Sequence, residues 1–339
     1  MILVAGESLI DLVPRQRGTD PPDGGPPQEP PELAPLLPRR GGGPYNTAVA
    51  LGRLGSPTAF CSRVSTDGFG EALLAGLRTA GVDTSLVARG PEPTTLAVAT
   101  VGADGSAGYG FYAEGTADRL FELPPPLPDA VRAVAFGTCS LVLEPGASAY
   151  ERLLRREAGR GLLTLLDPNV RPGLIRDADA YRRRFSGWLE DVSVLKLSDE
   201  DARWLGGIPR GPAAVVVTHG SAGMTVRTRE GLTASVPAAP VRIADTIGAG
   251  DTVNAALLHG LASLDALSRE ALPALDEDAW RAVLGFAARA AAVTCSRPGA
   301  DPPTAAELGP GPGQGPGQGP GQGPGQGPGQ GPGQGPAAV

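Results

Sequence analysis

Short apolar runs alternate with amphipathic stretches along the chain, from residue 2 to about residue 307. This order is typical of a mostly parallel β-sheet with helices packed on both of its faces. The apolar runs predict strands at 2–5, 133–136, 162–166, 192–195 and 214–217. Apolar residues at helical spacing predict helices at 46–54, 70–80, 147–158, 198–205, 252–261 and 278–294.

Three segments break this alternation. Residues 94–101 and 109–112 flank a turn containing Gly102, Asp104 and Gly105, which indicates a β-hairpin and therefore a small β lid beside the main sheet. The stretch 14–40 is rich in Pro and Gly and is interpreted as a long flexible loop. From 309 to 339 a Gly-Pro-Gly-Gln repeat offers almost no apolar side chain to bury, so we expect a disordered tail after one domain at 1–308.

Composition narrows the class of protein. The net charge is −7, and no run of basic residues indicates a nucleic-acid partner. No stretch approaches the roughly 20 apolar residues of a membrane helix, and no leader pattern precedes the first strand, so we expect no membrane partner and a cytoplasmic location. The three cysteines are far apart, which favours buried thiols over a disulfide or zinc site.

Lys196 is the only lysine in the chain. A Walker A loop requires Gly-Lys followed by Ser or Thr, and a protein kinase requires a strand lysine and an HRD loop. The sequence contains neither pattern. A Rossmann glycine triplet also fails, because Val253 occupies its third position, and His219 replaces the first glycine of a hydrolase elbow around Ser221.

The strongest local motif is Asp-Thr-Ile-Gly-Ala-Gly-Asp at 245–251, followed at once by a helical run. A glycine turn that opens a helix directs free amide groups and the positive end of the dipole at one point, which suits a phosphate in transfer. Asp251 would be kept ionised there and would accept a proton from an attacking hydroxyl. The alternative is that Asp251 is an ordinary N-cap and the glycines form only a tight turn.

The motif resembles the C-terminal signature of the ribokinase-like (PfkB) carbohydrate kinases. Gly41-Gly42-Gly43-Pro44-Tyr45-Asn46-Thr47-Ala48 is similar to the N-terminal signature of the same family. Within the family the likeness is greatest to bacterial fructokinases, and it rests on four further segments: 6–11, 111–118, 167–171 and 196–200. The resemblance implies a three-layer α/β/α sandwich with a small β-sheet lid. It also implies an ATP-dependent sugar kinase, most similar to a fructokinase.

The resemblance assigns a role to each matching residue. The catalytic group is Asp251 with the anion hole Gly248, Ala249 and Gly250. The sugar contacts are Asp11, Gly42, Gly43 and Asn46, with Glu144 and Arg171 as additional contacts. The nucleotide contacts are Lys196, Ser198, Thr218, Gly220, Gly248 and Gly250, and residues 296–301 border the adenine pocket. Asp201 and Glu200 organise Mg²⁺ through water, and Asp245 with the Ile247 carbonyl corresponds to a K⁺ site.

The sequence departs from the family pattern at Ile247, where Thr or Gly is usual, and at Asp201, which is shorter than the usual glutamate. The insertion at 14–40 leaves homodimerisation through the lid open. Two alternatives also remain open. One is a kinase of the same family for 2-keto-3-deoxygluconate, ribose or a nucleoside, and the other is a catalytically silent sugar or nucleotide sensor.

Overall fold

The computed structural model describes residues 1–14, 35–101 and 107–313. Within these residues the strands are β1 (Ile2–Ala5), β2 (Leu9–Pro14), β3 (Leu36–Gly41), β4 (Thr58–Ser65), β5 (Val87–Gly90), β6 (Leu96–Val101), β7 (Ala107–Tyr112), β8 (Ala133–Gly137), β9 (Leu163–Asp167), β10 (Val194–Ser198), β11 (Ala214–Thr218), β12 (Met224–Thr228) and β13 (Thr233–Val236). The α-helices are α1 (Gly43–Arg53), α2 (Gly68–Thr79), α3 (Gly146–Gly159), α4 (Ala178–Ser186), α5 (Asp199–Leu205), α6 (Ala249–Ser263), α7 (Glu277–Cys295) and α8 (Ala305–Leu308).

The main sheet has nine strands in the order β13-β12-β11-β10-β9-β8-β1-β4-β5. The seven strands from β11 to β5 are parallel to their neighbours, and β12 and β13 add an antiparallel edge. Because parallel strands need crossovers, the connecting helices lie on the two faces of the sheet. The predicted mostly parallel α/β architecture is confirmed.

Strand β1 shows how the sheet separates two cores. Ile2 and Val4 belong to the core formed with α1, α6 and α7, whereas Leu3 and Ala5 belong to the core that contains Tyr150 and Trp188. Side chains of successive strand residues point to opposite faces, so a continuous apolar run is buried on both sides. This burial aligns the carboxyl ends of the central strands along one edge.

A second, four-stranded sheet has the order β3-β2-β6-β7. Strands β6 and β7 are antiparallel, with Leu96 opposite Tyr112, which confirms the predicted hairpin. The interpretation of 14–40 as a loop was wrong at its end, because Leu36–Gly41 pairs antiparallel with β2. Residues 15–34 and the hairpin turn at 102–106 lie outside the described residues.

The sequence prediction also missed β2, β4, β5, β12 and β13 and helices α4 and α8. Helix α4 escaped notice because only Tyr181 and Phe185 are buried in a segment otherwise dominated by Arg and Asp. At the other end, residues 309–313, which the sequence assigned to the tail, belong to the described structure. Gly311 and Pro312 are buried, and residues 314–339 lie outside the described part of the chain.

No helix in the described residues is both long enough and apolar enough to cross a membrane.

Candidate active site

A cavity of about 240 Å³ lies where the carboxyl ends of the central strands meet the small sheet. Strand β2 contributes Asp11 and strand β7 contributes Phe111, so the small sheet forms one wall. The cavity collects most of the predicted catalytic and sugar-binding positions from distant parts of the chain. Those that line it are Asp11, Gly42, Gly43, Asn46, Arg171, Lys196, Ile247, Gly248, Gly250 and Asp251.

Asp251 lies in the first turn of α6, whose N-cap is Gly248. It is therefore the third residue of the helix and not the cap, which removes the alternative interpretation of the motif. Its side chain is buried, with 8% of the residue exposed. Burial raises the pKa of Asp251 to about 7, and the hydrogen bond from Asn46 opposes this shift. The expectation of a carboxylate kept ionised by the helix dipole did not include this desolvation.

A hydrogen bond from Asn46 to Asp251 connects the two glycine-rich segments. Asn46 Nδ2 donates to Asp251 Oδ2 at 2.8 Å, across 205 positions of sequence. The neighbouring Thr47 Oγ1 donates to the main-chain carbonyl of Asp251 at 3.3 Å. Helix α1 thus orients the carboxylate of α6 and leaves the second carboxylate oxygen, Oδ1, facing Gly43.

At two positions of the glycine signatures a side chain would collide with neighbouring atoms. A Cβ on Gly43 would lie 3.2 Å from Asp251 Oδ1 and 2.5 Å from Thr138 Oγ1. Gly248 adopts a φ of +77°, and a Cβ there would lie 2.6 Å from Ala300 Cβ. Such contacts are not tolerated by a packed backbone, so both turns depend on residues without side chains.

Asp11 and Arg171 line the cavity and interact electrostatically. Burial raises the pKa of Asp11 to about 6, while the positive charge of Arg171 opposes the shift. The Arg171 guanidinium donates to the side chain of Asn169 at 2.7 Å and to its carbonyl at 3.0 Å. The cavity therefore has a carboxyl and a cation available to substrate hydroxyls or to an anionic substituent.

Glu144 is not among the residues that line the cavity. Its carboxylate accepts from Ser148 Oγ at 3.0 Å and from Arg184 at 2.8 Å at the start of α3. These contacts give it a role in fixing α3 and α4.

Sequence reasoning missed Glu7, Thr138 and Cys139, which line the cavity. For Thr138, the signal in the sequence was its position directly after β8.

The predicted nucleotide contacts are divided between the cavity and the neighbouring strand ends. Lys196 lines the cavity, whereas Ser198 and Thr218 occupy paired positions at the ends of β10 and β11. Gly220 begins a turn after β11 with a φ of +56° and no atom within 4 Å of a hypothetical Cβ. These positions line up beyond the cavity at the same edge of the sheet.

The candidate metal ligands are held by main-chain groups. Asp201 is buried and accepts from the Val170 amide at 2.7 Å and from both the amide and hydroxyl of Ser198. Three donors occupy three of its roughly four lone pairs, which leaves one lone pair for a water molecule or a metal ion. Glu200 is exposed.

Asp245 connects the glycine turn to the loop after α7 through two hydrogen bonds. It accepts from the Ile247 amide at 3.1 Å and from the Gly299 amide at 2.8 Å, one on each carboxylate oxygen. Each oxygen keeps a lone pair for a cation. Within the described residues, no cluster of three or more His, Cys, Asp or Glu side chains is arranged to hold a metal.

Comparison with known proteins agrees with this arrangement. The chain matches the model of the pfkB family carbohydrate kinases over residues 1–306, and it therefore belongs to that family. This confirms the resemblance, the fold class and the assignment to the sugar kinases.

Two curated relatives and one solved structure define the similarity more closely. A fructokinase from Rhizobium leguminosarum bv. trifolii is 38% identical over 299 residues, which cover 83% of this chain and 86% of the relative. Fructokinase-1 from Oryza sativa subsp. japonica is 31% identical over 326 residues, 91% of this chain and 96% of its own. The crystal structure of a Xylella fastidiosa fructokinase with bound ATP has a TM-score of 0.78 at 26% identity, covering 91% of this chain and 96% of that one.

Proposed function

We propose that this carbohydrate kinase transfers the γ-phosphoryl group of ATP to a hydroxyl of fructose, with Asp251 as general base. The observation that carries the proposal is the hydrogen bond between Asn46 and Asp251, which joins the two glycine signatures inside one cavity. The names of the relatives support fructose as the acceptor. The ATP bound to the Xylella fastidiosa enzyme supports ATP as the donor.

In this mechanism the sugar hydroxyl donates its proton to Asp251 Oδ1, because Oδ2 already accepts from Asn46. The oxygen then attacks the γ-phosphorus, and ADP leaves on the opposite side. The amide groups of Gly248, Ala249 and Gly250 lie at the positive end of α6 and stabilise the charge on the phosphoryl oxygens. A pKa of about 7 keeps a useful fraction of Asp251 ionised while leaving it basic enough to accept the proton.

The sugar lies against Asp11, Gly42, Gly43 and Asn46, and Arg171 reaches it from the loop after β9. The nucleotide follows the edge formed by Ser198, Thr218 and Gly220, with Lys196 near its terminal phosphate. A Mg²⁺ ion bound beside the nucleotide would supply charge neutralisation for its phosphates. Asp201 contributes to this site through a water and Glu200 from its exposed position, while Asp245 and the Ile247 carbonyl fit a K⁺ site.

The lid surface supports a homodimer. Leu36, Leu37 and Tyr112 are exposed by 39%, 37% and 67%, and all three belong to the small sheet. Leu36 and Leu37 lie on the edge strand β3 and Tyr112 lies on the opposite edge strand β7, and exposed apolar side chains of this kind favour a protein partner. Light scattering of the wild type and of a Leu37→Arg variant tests this proposal.

The cytoplasm, where ATP is supplied, remains the predicted location.

The function is tested by coupling ADP release to NADH oxidation with a panel of acceptors. Purified protein with Mg²⁺ and ATP is offered fructose, glucose, ribose, 2-keto-3-deoxygluconate and a nucleoside. We expect stoichiometric ADP release with fructose. Turnover with only the sugar acid would assign the cavity to an anionic acceptor, for which the presence of Arg171 is the favouring observation.

A thermal-shift measurement distinguishes the sensor alternative if no acceptor gives turnover. If no acceptor is phosphorylated but a sugar still raises the melting temperature, the protein is a sensor and the proposed reaction is wrong.

Potassium dependence is measured in the same assay by exchanging K⁺ for tetramethylammonium at constant ionic strength.

A further inference from the structure

Asp167 ends strand β9 beside the cavity and is 3% exposed. Its Oδ2 accepts from Lys196 Nζ at 2.9 Å and from Asn254 Nδ2 at 2.8 Å. Its Oδ1 accepts from the Asn169 amide at 3.1 Å. One carboxylate therefore joins β10, α6 and the loop after β9 at the floor of the cavity.

The Lys196 ammonium depends on this contact. Burial lowers the pKa of Lys196, but the charge of Asp167 and its hydrogen bond, with smaller contributions from Asp201 and Asp251, raise it above the ordinary value. A Cβ on Gly250 would lie only 3.0 Å from Lys196 Nζ. The charged group is thus fixed directly against the glycine turn that receives the phosphoryl group.

Asn254 follows Asp251 by one turn of α6, so its bond to Asp167 also fixes the start of that helix. Its Oδ1 has no hydrogen-bond partner in the described part of the chain. A second cavity of about 10 Å³, lined by Asp167, Asp251 and Asn254 among others, lies behind the base. That volume is close to the room that one water molecule needs.

We infer that Asp167 is a positioning residue of phosphoryl transfer: its carboxylate, shared between Lys196 and Asn254, holds the ammonium against the Gly250 turn and fixes the first turn of α6. An ammonium removed from water would otherwise lose its proton or swing towards solvent. This inference rests on the proposed function, because it assumes that the phosphoryl group is transferred at that turn. It assigns Asp167 no contact with either substrate.

The first test is Asp167→Asn, which keeps the shape of the side chain and removes its charge. We expect kcat to fall at least tenfold while KM for ATP and sugar changes less than threefold. Because burial then acts on Lys196 without its counter-charge, the alkaline limb of the kcat profile moves to lower pH. A variant with wild-type kcat and an unchanged alkaline limb would overturn the inference.

The second test asks whether Asp167 acts through Lys196. In a double-mutant cycle with Lys196→Met, we expect Asp167→Asn to slow the Lys196→Met variant by a smaller factor than it slows the wild type, the remaining factor being the effect carried through Asn254. Effects that multiply would show that Asp167 acts independently. Ser193→Ala is the matched control, since Ser193 bonds Thr164 between the opposite ends of the same two strands. It removes a buried polar contact and should lower the melting temperature without moving the pH profile.

A spectroscopic test needs no turnover. Since Lys196 is the only lysine, protein labelled with [ζ-¹⁵N]lysine gives one Nζ signal. We expect an ammonium signal that shifts when a non-hydrolysable ATP analogue with Mg²⁺ is added, and a lower titration midpoint in Asp167→Asn. An unshifted wild-type signal with bound analogue would refute the inference even if Asp167→Asn is unstable, and an equal midpoint in a folded Asp167→Asn variant would refute it as well. Failure of the wild type to phosphorylate any sugar refutes only the proposed function.

Discussion

Replacing Asn46 by alanine removes the amide that donates to Asp251 Oδ2 at 2.8 Å. A hydrogen bond to a charged group contributes about 1.5–3 kcal/mol, and about 1.4 kcal/mol corresponds to one pKa unit. The bond favours the ionised carboxylate, so its loss raises the pKa of Asp251 from about 7 by roughly one to two units. At pH 7 the ionised fraction then falls from about one half to roughly 1–10%.

The assay is the pH dependence of kcat/KM for the sugar, whose acid limb reports the base of the free enzyme. We expect the limb of Asn46→Ala to lie one to two pH units above that of the wild type, so the defect is largest near pH 6 and shrinks towards pH 9. If the Asn46 side chain also binds the sugar, its removal adds a constant factor at every pH. The two effects are therefore separable within one data set.

Thr47→Val is the matched control, because Thr47 bonds the main-chain carbonyl of Asp251 and not its carboxylate. This neighbouring substitution should leave the acid limb in place. An acid limb of Asn46→Ala that coincides with the wild type would mean that Asp251 is not the titrating base. A shift to lower pH would mean that the sign of the interaction is wrong.

Four further outcomes are expected. Asp251→Asn should lower kcat about 10²–10⁴-fold while ATP still raises the melting temperature. The same variant should be more stable than the wild type above pH 7. Burial raises the pKa of Asp251 in the folded state to about 7, so the wild type loses up to roughly 4 kcal/mol of unfolding free energy as pH rises from about 4 to about 7. Equal melting temperatures at pH 8.5 would refute this. Deleting 314–339 should leave melting unchanged, whereas deleting 309–339 removes the buried Pro312 and should lower it by about 2–4 °C. Glu144→Ala should leave KM for the sugar within about twofold, because Glu144 does not line the cavity; a tenfold rise in KM would place it at the substrate.

Five strands of the central sheet, β1 and β8 to β11, were predictable because a strand buried on both faces is a continuous apolar run. Strand β9, for example, is buried at every position. Strand β3 gave no such signal, since five of its six residues are exposed and it contains a proline. Its conformation comes from pairing with β2, which is a tertiary contact. Helix α4 was missed for the related reason that only one narrow stripe is buried.

For the site, the sequence identified residues but not their environment. The glycine signatures located Asp251 and Asn46, yet nothing in the sequence revealed that the two side chains bond each other across 205 positions. The raised pKa of Asp251 depends on burial by several elements at once. Glu144 was assigned by resemblance alone, and its ion pair with Arg184 forms only when α3 and α4 pack together.

The bond between α1 and α6 also has a consequence for the order in which this enzyme matures. Its two partners are made far apart in time on the ribosome, and a contact of such long sequence separation forms late in folding. An N-terminal chain that ends before α6 contains most strands of the main sheet, since β1, β4 and β8 to β11 all precede that helix, but lacks the helices α6 and α7 that cover one face. Such a nascent protein lacks the proposed base Asp251, so we expect activity to begin only when synthesis is nearly complete.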